Sequence, residues 1–153
     1  MTIDVQRVGA EGERFAGEEP IALLDGEGEP GLRPGGAIRY RLGAQVVSGR
    51  LMVSGALSMD NSFLCSRCAE WFLREIREPA FSSVHEIVSG QEIVDLTPEM
   101  REAMLLSLPA HPLCREDCRG LCSRCGANRN RGACGCGPAP EFRWEALGRL
   151  KGP

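Results

Sequence analysis

The strongest constraint on this chain is a cluster of cysteines in its C-terminal part. Residues 114–136 hold six of the eight cysteines within 23 positions. Cys122 and Cys125 are separated by two residues, and Gly126 follows the pair directly. This is a zinc-knuckle pattern, in which a tight turn aims both sulfurs at one point. Cys134 and Cys136, separated by one glycine, can supply two further thiolates. We therefore predict a tetrahedral four-thiolate metal site, called the terminal site: Cys122, Cys125, Cys134 and Cys136.

The four remaining cysteines form two short pairs. Cys65 and Cys68 lie two residues apart in the middle of the chain, and Cys114 and Cys118 open the cluster. Knuckle cysteines usually bind as pairs, so the two pairs are predicted to share a second four-thiolate site, called the linking site. This site would tie the middle of the chain to its C-terminal part. The expected cofactor is two zinc ions, one for each group of four cysteines.

Three alternatives to this assignment remain open. His111 lies close enough in sequence to replace one ligand of the linking site. Disulfides would be expected in a secreted chain, but residues 1–10 lack the apolar segment of a signal peptide. An iron–sulfur cluster also uses four thiolates, although paired knuckles are more typical of zinc. The expected location is therefore the reducing cytoplasm.

Composition adds an asymmetry of charge. The chain has 153 residues, 42% of them hydrophobic but only 5% aromatic, so bound metal should contribute part of its stability. Residues 1–110 carry 10 basic and 17 acidic side chains, whereas residues 111–153 carry 8 basic and 4 acidic ones. We accordingly divide the chain into a β-rich domain with an acidic, loop-rich N-terminal part, 1–110, and a basic zinc module, 111–153, tied together by the linking site.

Alternating apolar residues predict several strands in the first domain. A short strand is expected in residues 1–8, mostly loop from 9 to 36 with one strand at 21–24, and two strands joined by a hairpin turn at 42–46. A turn or bulge is expected at 60–62, followed by a knuckle at the tip between two strands. We further expect extended structure at 71–78, a break or edge at Pro79 and another strand at 81–88.

Two helices are predicted in the C-terminal half. Thr97 as N-cap and Pro98 at the first helical position predict a helix to residue 107 or 108, with an apolar stripe typical of core packing. A second helix is expected at 141–150. The predicted fold is mainly β, of the α+β class: an antiparallel sheet or small open barrel with two short helices and a C-terminal zinc-knuckle module.

The sequence offers little for catalysis. Two closed four-thiolate sites would use every cysteine and leave no open metal position. The Cys65 and Cys68 pair could act in redox chemistry, with Arg67 lowering the pKa of a neighbouring thiol, but such pairs normally open a helix after a parallel strand. His85 is interpreted as a structural residue on a strand. We predict that the chain is not an enzyme.

Taken together, the motifs resemble those of the YceD family of large ribosomal RNA subunit accumulation proteins. The resemblance spans about residues 38–151. It is carried by Val53-Ser54-Gly55, the Cys65 and Cys68 knuckle, Pro112-Leu113-Cys114, the run from Gly120 to Asn128, and Arg143-Trp144-Glu145-Ala146-Leu147. Two positions depart from the family pattern, Ser123 where relatives tend to have proline and Arg129 where they tend to have leucine, and neither is a proposed ligand.

The family resemblance implies a non-enzymatic role in the synthesis, processing or stability of large-subunit (23S) ribosomal RNA during ribosome assembly. The expected partners are a large-subunit ribosomal RNA precursor or a ribosomal or assembly protein, with no membrane and no small-molecule substrate. An alternative is a zinc-ribbon adaptor that binds a protein partner without touching RNA. If RNA is bound, its phosphates should meet the arginines of the basic module: Arg115, Arg119, Arg124, Arg129 and Arg131.

Overall fold

The fold of the chain, obtained as a computed structural model, is mainly β. The structure describes residues 1–9, 11–20, 30–88, 90 and 93–137. In these ranges the strands are β1 (Thr2–Asp4), β2 (Glu13–Glu19), β3 (Leu32–Pro34), β4 (Ile38–Val47), β5 (Arg50–Leu64), β6 (Trp71–Glu86) and β7 (Ile93–Asp95). A 3-10 turn follows β1 at Val5–Arg7, and one α-helix, α1, spans Thr97–Leu106.

Strand β5 organises the main sheet, which is antiparallel and curled into a half-barrel. One edge of β5 pairs with β6 along its whole length, and the other edge pairs first with β4 and then with β3. Strand β2 extends the sheet beyond β4, while β1 and β7 form a separate two-stranded sheet. The structure thus confirms an antiparallel sheet with an open, barrel-like curl.

The β4–β5 hairpin turns later in the sequence than predicted. Strand β4 runs without interruption to Val47, so the predicted turn at 42–46 is wrong. The turn is made by Ser48 and Gly49, which have φ values of 49° and 76°. Two successive positive φ values match the twist of a tight hairpin, which explains why the chain reverses there.

The longest strands also correct the prediction of a turn at 60–62. Strand β5 continues through this segment to Leu64, and β6 continues through Pro79 to Glu86. The irregularity is instead a β-bulge between Gly55 and Leu57. Gly55 pairs with Phe81 and Leu57 with Glu78, so β6 has one more residue than β5 in this interval. Pro79 falls within this bulge, where its missing N–H disturbs the ladder least. The predicted knuckle at the tip between two strands is confirmed, since β5 and β6 flank it.

The N-terminal part holds more regular structure than predicted. Strand β2 lies in the segment expected to be mostly loop, and it pairs with β4 over seven residues. Its sequence, ERFAGEE, carries one large apolar side chain, Phe15, so its alternation was too weak to predict a strand. The predicted strand at 21–24 lies outside the described residues.

Helix α1 closes the core on the inner face of the sheet. Met100 and Met104 are fully buried among core residues of β4, β5 and β6, with Ala103 and Leu108 packed against them. This confirms the predicted helix and its apolar stripe. The N-cap is Leu96 rather than Thr97 as predicted, and Thr97 is the first helical residue. The Thr97 hydroxyl is engaged by the Asp95 carboxylate at 2.6 Å, and the same carboxylate accepts the Thr97 N–H at 2.9 Å.

The predicted class, α+β with two short helices, requires correction. The described residues contain a single α-helix against seven strands, so the fold is mainly β. The second helix was predicted at 141–150, and that segment lies outside the described residues. Within the described ranges, no helix is both long and apolar enough to span a bilayer. The division into domains 1–110 and 111–153 stays a prediction.

Candidate metal centres

The linking site is assembled from two distant parts of the chain. Cys65 and Cys68 lie in the turn between β5 and β6, whereas Cys114 and Cys118 lie after α1. All four sulfurs are within 4.8 Å of one another. The Sγ atoms of Cys65 and Cys118 are 3.8 Å apart, as are those of Cys68 and Cys114. A tetrahedral zinc ion with bonds of about 2.3 Å to sulfur requires a sulfur–sulfur distance of about 3.8 Å, so these residues fit a single ion.

Backbone hydrogen bonds hold the first knuckle in shape. The N–H of Ala69 donates to the carbonyl of Cys65 at 2.9 Å, and the N–H of Cys65 donates to the carbonyl of Glu70 at 2.9 Å. Ala69 closes this turn with a φ of 55°, unusual for a residue with a side chain. The N–H of Ser66 donates to the carbonyl of Pro112 at 2.8 Å, which joins the knuckle to the second half of the site.

Burial and hydrogen bonds divide the four thiols of the linking site by pKa. Burial raises the pKa of Cys65, but backbone N–H groups, first that of Cys114 at 3.4 Å from the sulfur, lower it to about 6. A hydrogen bond from the side-chain amide of Asn130, at 3.2 Å, lowers the pKa of Cys118. Burial raises the pKa of Cys68, and it raises that of Cys114 to about 12. Hydrogen bonds thus favour the thiolate form of Cys65 and Cys118, burial favours the thiol form of Cys68 and Cys114, and binding of a cation would release protons.

The terminal site gathers its four cysteines near the surface. The sulfurs of Cys122, Cys125, Cys134 and Cys136 also lie within 4.8 Å of one another. Cys125 is exposed and the other three residues are partly exposed. The N–H of Gly126 donates to the carbonyl of Cys122 at 2.9 Å, and the φ of 72° at this glycine closes the turn. This arrangement repeats that of the first knuckle.

The pKa values of the terminal thiols are also separated. Backbone N–H groups of Arg124 and Cys125 lower the pKa of Cys122 to about 6. The neighbouring Cys125 sulfur, followed by desolvation, raises the pKa of Cys136 to about 12. The Cys122 sulfur is therefore favoured as a thiolate, whereas the Cys136 thiol would release its proton to solvent when a cation binds.

The structure groups the eight cysteines in the same way as the sequence analysis divided them. His111 is exposed and belongs to neither group. All eight thiols are free of disulfide bonds. Sulfurs this close together leave space for one ion rather than a multi-iron cluster. That the two groups bind metal, and that the metal is zinc, stays a prediction.

Two side chains that the sequence reasoning did not assign to the sites connect them. In sequence, Asn130 lies between Cys125 and Cys134 of the terminal site. Its amide nitrogen nevertheless donates a hydrogen bond to the sulfur of Cys118 in the linking site. Its amide oxygen accepts hydrogen bonds from the N–H of Arg119, at 2.8 Å, and from the guanidinium of Arg115, at 2.9 Å. The sequence feature that could have indicated this role is an asparagine in a cysteine-rich loop, because asparagine side chains commonly form hydrogen bonds with nearby backbone groups.

Arg67 is the second connecting residue. Its guanidinium donates to the carbonyls of Glu116 and Cys118, each at 3.2 Å. Its own carbonyl accepts the N–H of Leu121 at 3.0 Å, and a Cβ atom at Gly120 would lie only 2.9 Å from that oxygen. A positive φ of 69° and this close approach both require glycine at position 120. The segment between the two sites is thereby packed directly on the first knuckle.

The five arginines proposed to contact RNA are all exposed. Arg131 is paired with Glu70, and Arg115 approaches Asp117 at 3.3 Å. In the part of the chain that the structure describes, the side chains of Arg119, Arg124 and Arg129 take part in no ion pair or hydrogen bond. His85, by contrast, is held at 2.8 Å from the Ser83 hydroxyl and 3.5 Å from the Glu99 carboxylate, far from the cysteines in sequence.

Comparison with known protein families assigns the chain to one of them. A family model described as large ribosomal RNA subunit accumulation protein YceD matches residues 75–151, which is half of the chain. The chain belongs to the YceD family. The match contains all six cysteines of the cluster and confirms the resemblance inferred from the motifs.

Individual relatives share modest sequence identity. A protein of Mycobacterium tuberculosis, described as uncharacterised, is 27% identical over 143 residues, covering 82% of this chain and 69% of the relative. A similarly described protein of Mycobacterium leprae is 27% identical over 110 residues, covering 61% and 50%. The chloroplastic large ribosomal RNA subunit accumulation protein YCED homolog 1 of Arabidopsis thaliana is 34% identical over 59 residues, covering 38% and 18%. No solved structure matches this chain.

Proposed function

We propose that the chain is a non-enzymatic, zinc-binding factor that supports the synthesis, processing or stability of large-subunit (23S) ribosomal RNA during ribosome assembly. It would act in the cytoplasm, on an RNA precursor or on a ribosomal or assembly protein. Membership of the YceD family supports the link to this RNA. The two groups of four sulfurs support one zinc ion each.

The main support for the proposed RNA contact is the arrangement of arginines around the two cysteine groups. Arg119, Arg124 and Arg129 are exposed, and no ion pair with a described residue neutralises them. They are held close to two compact metal sites, so their backbone positions would be fixed once the ions bind. Arginines fixed in this way are suited to contact phosphates. Each four-thiolate zinc site would carry a formal charge of −2, so we expect modest affinity for RNA and a strong dependence on salt.

The zinc ions would be structural in this proposal. Four thiolates fill the tetrahedral coordination of zinc and leave no position for water or substrate. The linking site would hold the segment that begins at Cys114 and carries the exposed arginines on the β5–β6 hairpin. The terminal site would order the loop that carries Arg124 and Arg129. The function is therefore proposed to be binding and positioning rather than a chemical reaction.

A protein-binding adaptor is the second candidate, favoured by exposed apolar side chains. Leu73 and Val84 on β6 are 70% and 53% exposed, and Leu106 on α1 is 79% exposed. Such residues suit a protein partner, because contact with one would remove their apolar surface from water. An adaptor would remain associated with ribosomal particles after ribonuclease treatment, whereas an RNA-bound factor would be released.

Depletion of the protein in its host tests the proposed function. We expect reduced large-subunit ribosomal particles by sedimentation and reduced large-subunit ribosomal RNA, with the small-subunit RNA much less affected. A variant with Arg124, Arg129 and Arg131 changed to glutamine should rescue poorly. The matched control removes the same charge from exposed arginines elsewhere, at Arg7, Arg14 and Arg41, and should rescue fully. Normal large-subunit RNA after depletion would exclude the ribosomal role, whereas full rescue by the first variant would move the binding surface away from the cysteine-rich segment.

A further inference from the structure

An exposed tryptophan lies at the end of the sheet next to the linking site. Trp71, the first residue of β6, is 42% exposed, which is unusual because tryptophan is highly buried on average. The guanidinium carbon of Arg33 on β3 lies 4.0 Å from the centre of the Trp71 ring. The next residue of β6, Phe72, packs against the core instead. Trp71 and Arg33 therefore form a pair on the outer face of the sheet, opposite α1.

Strand register places a third residue beside this pair. Ser62 of β5 lies between Arg33 on one side and Leu73 of β6 on the other. Leu73 is 70% exposed and projects on the same face as Trp71. The outer face at this end of the sheet thus presents an aromatic ring, a guanidinium and an exposed leucine side by side.

Among the described residues no carboxylate pairs with Arg33, in contrast to Arg39 on the same face. Arg39 is neutralised by Asp60 at 2.8 Å and by Glu75 at 2.9 Å. The Arg33 guanidinium lies over the Trp71 ring instead of beside a described carboxylate. A guanidinium stacked on an aromatic ring keeps both its charge and its outward plane for a ligand.

The same end of β6 is in contact with the arginine-bearing loop of the terminal site. Arg131 is paired with Glu70, which directly precedes Trp71. Arg129 lies two residues before Arg131 on this loop and has no ion pair with a described residue. The loop that carries Arg129 and Arg131 therefore reaches the residue that directly precedes Trp71.

We propose that Trp71 and Arg33 form a stacking platform for an unpaired base of single-stranded RNA, with nearby phosphates bound by Arg129. This inference rests on the proposed RNA-binding function and specifies how RNA would be read. Single-stranded RNA is recognised largely by bases that stack on aromatic rings and guanidinium planes. A protein partner would also cover Trp71 and Leu73, but a guanidinium with no carboxylate partner among the described residues favours an anionic ligand.

Fluorescence of Trp71 tests this platform directly. The chain has two tryptophans, so Trp144→Phe leaves Trp71 as the single reporter. Titration with oligouridylate and oligoadenylate of about ten nucleotides should quench its emission, whereas a blunt-ended RNA duplex should not. Trp71→Ala should weaken binding about 5- to 150-fold, the range expected for loss of one stacked base. Trp71→Phe should keep most of the affinity, which separates stacking from any general effect on folding.

Leu73→Ala is the matched control, because it removes an exposed apolar side chain from the same face without removing a ring. It should leave the affinity for RNA within about twofold of the original. If RNA binds in an Arg124- and Arg129-dependent way while Trp71→Ala has no effect, the platform is wrong and the proposed function stands. If no RNA binds even at low salt, the platform and the proposed RNA contact both fail, and a ribosomal or assembly protein is left as the proposed partner. If Trp71→Ala and Leu73→Ala together abolish only a ribonuclease-resistant association, the surface binds a protein and the platform is wrong.

Discussion

The two cysteine groups share one local design but differ sharply in burial. In both, the N–H of the residue after the second cysteine donates to the carbonyl of the first at 2.9 Å, from Ala69 to Cys65 and from Gly126 to Cys122. Yet Cys65, Cys68 and Cys118 of the linking site are at most 4% exposed, whereas Cys125 of the terminal site is exposed to solvent. The same turn therefore serves once inside the protein and once at its surface.

The groups also differ in the length of chain that they close. The linking site joins residues 46 positions apart, Cys68 and Cys114, and so fastens the segment after α1 to the β5–β6 hairpin. The terminal site closes only residues 122–136. Because the entropy lost on loop closure grows with loop length, an ion in the linking site should act as a long-range cross-link. An ion in the terminal site should mainly order its own loop.

The largest expected effect is loss of the linking site. Cys65→Ser should release one of two metal ions and lower the free energy of unfolding by more than about 4 kcal/mol, as is typical when a buried metal site is lost. Elemental analysis and urea denaturation measure the two quantities. Cys125→Ser, the counterpart in the terminal site, should also release one ion but leave the unfolding of the sheet nearly unchanged. Equal destabilisation by the two variants would contradict the distinction between cross-link and local site.

The rate of metal removal gives the second test. A chelator should extract the two ions in two phases of equal amplitude, because the exposed terminal site opens locally while the linking site opens only with larger unfolding. A colorimetric chelator follows both phases. Cys125→Ser should eliminate the fast phase and leave the slow one intact. A single phase for both ions would mean that the two sites open together.

Removal of Asn130 measures the coupling between the sites. Asn130→Ala deletes the amide that donates to the Cys118 sulfur, so it should cost about 1.5 to 3 kcal/mol, the usual range for a hydrogen bond to a charged group. It should also accelerate the slow phase of metal release. Arg119→Ala is the matched control, since Asn130 is bonded by the backbone N–H of Arg119 rather than by its side chain. A variant as stable as the original chain would show that the two sites are independent.

The sequence predicted how the cysteines are grouped because the two cysteines of each pair lie only a few residues apart. Helix α1 was also predictable, since Pro98 and an apolar stripe define it locally. The β4–β5 turn was misplaced because Ser48 and Gly49 lie between strands whose alternation continues on either side. Strand β2 was missed because an edge strand with few apolar residues leaves little pattern to detect. Asn130 was missed because its contact with Cys118 depends on how the two sites pack together.

The smallest expected change in stability comes from substitutions at equivalent positions of the two knuckle turns. Ala69 and Gly126 both close the turn with a positive φ, 55° and 72°, and both are exposed. Ala69→Gly should relieve backbone strain, and after allowing for the greater flexibility of glycine in the unfolded chain it should raise the free energy of unfolding by about 0.5 to 1 kcal/mol. Urea denaturation should detect this gain, because the linking site unfolds with the sheet.

The reciprocal change, Gly126→Ala, introduces the same strain into the terminal site. A Cβ atom there would meet nothing within 4 Å, so the cost comes from the backbone alone and should be about 1 kcal/mol. If the terminal site opens locally, this cost should appear as a fast chelation phase accelerated about fivefold, with no change in the unfolding of the sheet. Gly135→Ala, also in open space but without a positive φ, is the control and should change neither. A shift of the main unfolding transition by Gly126→Ala would show that the terminal site is part of the same cooperative unit as the linking site.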